Sequence, residues 1–166
     1  MTEPIGRAGA KARPPSGGHS FQIFMNDMTT ITDILNVLVS FESFYSFDDD
    51  MVSSDISIKE VIAISSFISP QIILIHGSYV TKVRYSPEDD PDFDLIIASF
   101  KIPFWSKRHL YDEIRDRFQK VCPTTRFDIS LTSPYDLLNH VYNKTSLGQS
   151  IIQGFTIMYP GRNRCR

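Results

Sequence analysis

The chain is 166 residues long, with 42% apolar and 22% charged residues, enough for one domain with a buried core. Seventeen Lys and Arg against nineteen Asp and Glu leave a net charge of −2, which excludes a protein living by a broad basic surface on nucleic acid or anionic lipid. Two cysteines, Cys122 and Cys165, form no disulfide framework, and the four histidines stand too far apart for a metal-ligand spacing.

Residues 1–20 read as a disordered tail: Arg7–Ser20 is Gly, Ala, Pro and Ser with three basic residues and no large apolar side chain. Residues 21–166 read as a single domain. Ile31, Ile34, Leu35, Leu38 and Val39 recur at helical spacing behind a capping pair, Thr30 and Asp33. Asp48-Asp49-Asp50 reads as a solvated loop. A second helix spans 57–68, opened by Ser57 with Glu60 and stopped by Pro70. The continuous apolar run 71–76 predicts a buried strand, broken by Gly77-Ser78, and a polar stretch leads to Pro91. A second strand covers 92–98 and a helix 106–121, where Leu110, Ile114, Phe118 and Val121 share one face. Arg126–Leu131 alternates as a third strand. Ser133-Pro134 opens another helix, 146–153 a short one, and 155–159 a last strand. The predicted fold is α/β (α+β), a small mixed β-sheet with helices packed on it. No apolar run approaches the roughly 18 residues that cross a bilayer, so a cytoplasmic protein with reduced thiols and no membrane partner is expected.

Three features carry chemistry. Asp92 and Asp94 alternate with Phe93 and Leu95, placing two carboxylates on one face of a strand about 6–7 Å apart, where they repel unless a cation intervenes. Hard oxygen donors of this kind suit Mg²⁺ or Mn²⁺. Gly77-Ser78 ends a buried strand, where glycine admits a ligand to the backbone and amide groups cradle phosphate. Asp128 is the acidic position between Phe127 and Ile129 on a later strand. Lys82 and Arg84 lie between the glycine turn and the Asp pair, where positive charge suits a triphosphate. Tyr79 reads as a packing residue and Cys122 as a small buried one. Trp105 with Phe104 and Lys107-Arg108-His109 reads as ordinary surface rather than a base-stacking platform.

A strand ending in Gly-Ser, thirteen residues, Asp-apolar-Asp-apolar, and then one Asp on a later strand: this order resembles the DNA polymerase beta-like nucleotidyltransferase superfamily. The resemblance covers roughly 57–159, with His76 where an apolar residue is more usual. It implies a nucleotidyltransferase-like fold. It implies too that Gly77 and Ser78 hold the phosphates of an NTP, with ATP the first choice; Lys82 and Arg84 are candidates to add positive charge there, solvation in a polar loop being the alternative. Asp92, Asp94 and Asp128 would bind Mg²⁺ (or Mn²⁺) for transfer of a nucleoside monophosphate to a hydroxyl or phosphate on a protein, RNA or small molecule. The sequence departs from many small relatives at Tyr79–Val83 and at Pro91, and Glu88-Asp89-Asp90 adds negative charge beside the site. With seven residues after Tyr159, acceptor recognition is expected from the N-terminal helices, a partner protein or a second copy. The alternative is a catalytically inactive or regulatory module on the same fold, binding nucleotide or a partner, as in one half of a toxin–antitoxin pair.

Overall fold

The computed structural model describes residues 30–41, 56–81, 92–102 and 107–160. The tail at 1–20, the run Asp48–Asp50, the candidates Lys82 and Arg84, and Phe104 with Trp105 lie outside the described residues.

Helix α1 (Ile31–Val39) starts at a complete capping box: Asp33 N–H donates to Thr30 Oγ1 and Thr30 N–H to the Asp33 carboxylate. Helix α2 (Ile58–Ser65) repeats the device with Ser57 and Glu60 and tightens into a 3₁₀ turn at Ser66–Ile68. Strand β1 (Ile72–His76) follows, then a single helical turn, α3 (Ser78–Thr81), and strand β2 (Phe93–Ala98). Helix α4 (Lys107–Val121) leads to β3 (Phe127–Thr132). Ser133 caps α5 (Pro134–Tyr142), α6 (Ser146–Gln153) follows, and β4 (Phe155–Tyr159) closes the described chain.

The strands form one open, mixed sheet in the order β3-β2-β1-β4. β1 runs antiparallel to both β2 and β4, while β2 and β3 are parallel. A parallel pair needs a long crossover, and α4 supplies it. β1 has neighbours on both sides and helices over both faces, which is why its residues are apolar without alternation and all buried.

Successive strand residues serve two cores. Ile73, Ile75, Phe93, Leu95 and Ile97 pack with Val61 of α2 and Ile114 and Phe118 of α4. Ile72, Leu74, Ile96 and Ala98 pack with Ile34 and Leu38 of α1, Leu137 and Leu138 of α5, and Ile151 of α6. The predicted mixed sheet with helices on it is therefore observed, with strand ends within a residue of those expected and Cys122 buried as expected.

Candidate active site

The site is built by strand register. His76 of β1 stands opposite Asp94 of β2, and Asp94 opposite Asp128 of β3. Opposed residues on neighbouring strands point to the same face, so the three side chains form one transverse row with about 4.8 Å between strands. Asp94 is at its centre. On the same face, one step further along each strand, Leu74 and Ile96 belong to the core under α1, α5 and α6. The row thus marks where that apolar core ends. Asp92, two residues before Asp94, lies just outside the strand at the same end of the sheet.

Gly77 completes the row's boundary. Its φ of +73° is a left-handed conformation that glycine adopts without steric cost. A Cβ at this position would fall on Asp94 Oδ2 and within 3.2 Å of its Cγ, so the carboxyl group lies directly against the glycine backbone. Gly77→Ala should combine left-handed strain with displacement of Asp94, costing about 2 kcal/mol of stability. Chemical denaturation measures this, and an unchanged midpoint would contradict it. Of Ser78 the backbone is described: it begins the one-turn helix α3. Tyr79 packs on Phe93 with ring centroids 4.5 Å apart, in the structural role expected of it.

Electrostatics follow from the geometry. Burial first, then the nearby charges of Asp128 and Asp92, push the Asp94 carboxyl above the usual carboxylate range. Concentrated negative charge of this sort is what a bound cation relieves. Burial lowers His76 to about 4, against the opposing pull of Asp128. The ring is therefore neutral at neutral pH, 5% exposed, with Nδ1 2.9 Å from Ser150 Oγ on α6.

Asp92 is differently engaged. Arg126 Nε lies 3.3 Å from its Oδ1, and both side chains are more than half exposed. Among the described residues no group of three or more His, Cys, Asp or Glu side chains converges on one metal position. The donor chemistry nevertheless fits a hard divalent cation: three carboxylates at one end of the sheet, one of them already strained by its neighbours' charge. An exposed ion pair is worth only about 0–1 kcal/mol, so releasing Asp92 from Arg126 costs little.

Sequence reasoning assembled Asp92, Asp94, Asp128 and Gly77 at this end of the sheet, and the structure brings them there. It missed Arg126 and Ser150. Arg126 had a signal, since it precedes Asp128 by the two residues that separate Asp92 from Asp94. Ser150 had none, because its approach to His76 depends on how α6 packs on the sheet. Compared with family models, curated proteins and solved structures, the chain matches none. Among the described residues no helix is long and apolar enough to cross a membrane.

Proposed function

We propose that the chain is a nucleotidyltransferase, moving a nucleoside monophosphate from an NTP, ATP for preference, to a hydroxyl or phosphate acceptor. The observation that carries this reading is the row in which Asp94 and Asp128 stand in register, with Gly77 pressed against the Asp94 carboxyl and Asp92 at its open end. In the reaction the acceptor oxygen forms a bond to the α-phosphorus as the bond to pyrophosphate breaks. Asp92, Asp94 and Asp128 would hold Mg²⁺ or Mn²⁺, which would lower the acceptor's pKa and neutralise the charge of the departing pyrophosphate.

The chain's own residues supply position. The Gly77 backbone, bare of a Cβ, lets the Asp94 carboxyl close against it and starts the turn whose amides would cradle a phosphate. The apolar floor beneath the row limits the motion of Asp94. Neutral His76 takes its place in the row without adding a charge that would compete for the carboxylates.

A second reading rests on the Arg126–Asp92 pair: a regulatory module on the same sheet, with one carboxylate occupied by an arginine instead of an ion. Incubation with Mg²⁺ and ATP labelled at either the α- or the γ-phosphate, with cellular RNA and protein as acceptors, separates the two. Covalent label from α-labelled ATP with release of pyrophosphate is expected. Label from γ-labelled ATP, or none from either, would reject transfer of the nucleotide.

A further inference from the structure

Away from the carboxylates, a cavity of about 600 Å³ touches four consecutive strand residues, 129–132. Side chains of neighbouring strand residues point to opposite faces, so a cavity touching all four lies along the edge of β3 and over neither face. The remaining walls agree: Lys107, Arg108 and Tyr111 come from α4 in one helix layer, His140 and Leu147 from α5 and α6 in the other.

Among the described residues β3 is the last strand of the sheet on this side. Phe93 N–H donates to Arg126 C=O at 3.0 Å, and Ser99 N–H to Thr132 C=O at 2.9 Å. Main-chain groups in a parallel ladder alternate between the two sides of the strand. Residues 126, 128, 130 and 132 therefore turn their main chain to β2, whereas Ile129 and Leu131 turn theirs outward into the cavity. Both residues are 3% exposed, and among the described residues their outward N–H and C=O groups have no partner. Main-chain groups left free along a strand edge are a template for a further strand. Thr132, 5% exposed, lines the same cavity.

Charge selects the occupant. The cavity carries Lys107 and Arg108 at the first turn of α4, where the helix dipole adds positive potential, and His140, whose Nδ1 lies 2.9 Å from Thr145 Oγ1. Among the described residues no acidic side chain lines it. A small anion would satisfy the N–H groups and leave the carbonyls unpaired. A second copy of β3 carries the same Lys107 and Arg108 and so offers this cavity no complementary charge. We propose that the free edge of β3 accepts an extended acidic segment of a partner protein as a fifth strand, its main chain pairing with Ile129 and Leu131 and its carboxylates meeting Lys107 and Arg108. This docking does not depend on nucleotide transfer.

The test uses the full ¹⁵N-labelled chain and an acetylated, amidated peptide of three Val-Glu repeats. The Ile129 and Leu131 amides should shift and gain protection from exchange. Affinity should fall about tenfold in Lys107→Glu/Arg108→Glu, both exposed positions that leave the core intact. N-methylation of the peptide at alternate residues should abolish binding, because it removes the pairing N–H groups and keeps the charges. Equal binding of a Val-Lys repeat, undiminished binding of the methylated peptide, or no binding at millimolar peptide would each overturn the proposal. Protection of the same amides by inorganic phosphate alone, or by self-association without peptide, would overturn it in favour of an anion site or a dimer.

Discussion

Asp94→Asn is expected to reduce nucleotide transfer about a thousandfold or more, the scale of several kcal/mol of transition-state stabilisation. Asp94 is central in the row and the carboxyl most compressed by its neighbours, so no other residue can take its place. The same substitution should leave the fold intact. Because burial and the charges of Asp128 and Asp92 raise its pKa, an ionised Asp94 opposes folding, and its neutral isostere should match or exceed the wild type in stability at neutral pH. Kinetics and denaturation on one preparation check both halves. Lost activity with lost stability would mean that Asp94 serves the fold, and retained activity would remove it from the chemistry.

His76 sets the second large effect, on stability against pH. Its pKa falls from 6.5 to about 4 on folding, so the unfolded chain binds the proton more readily between these values. The stabilisation is present above pH 6.5 and is lost as pH falls towards 4. Its size is about 3 kcal/mol, from the distance between the two pKa values at 1.36 kcal/mol each. Asp94 acts in the opposite sense, since its raised pKa lets the folded chain hold the proton more tightly as pH rises through the carboxylate range. The difference between wild type and His76→Gln separates the two. The wild-type curve should fall by about 3 kcal/mol more than the variant's between pH 7 and 4. Parallel curves would contradict a buried, neutral His76.

Local pattern carried most of the elements, and topology carried the rest. The apolar run at 71–76 is typical of a buried strand, and it is the inner strand β1. Thr30 with Asp33 and Ser57 with Glu60 marked helix starts that the structure closes with reciprocal hydrogen bonds. The one-turn helix α3 left no trace, because four residues are too few to show a helical period. Neither the antiparallel pairing of β1 with β2 nor the return of β4 to β1 is written in local sequence, since both depend on contacts far apart in the chain. Alternation placed Asp92 and Asp94 on one face, but only the register shows that Asp94 meets Asp128 on one side and His76 on the other. Arg126 stands two residues before Asp128 in the sequence, but its pairing with Asp92 follows from the parallel alignment of Phe93 with Phe127.

The central claim is that the carboxylate row binds a metal ion and a nucleotide together. Its most direct test is calorimetric titration of ATP into the wild type and into Asp94→Asn, each with and without Mg²⁺. Binding in the wild type that requires Mg²⁺ and disappears in the variant is the expected result. Mg²⁺-independent binding, or equal binding in the two proteins, would place the nucleotide elsewhere and end the case for this site.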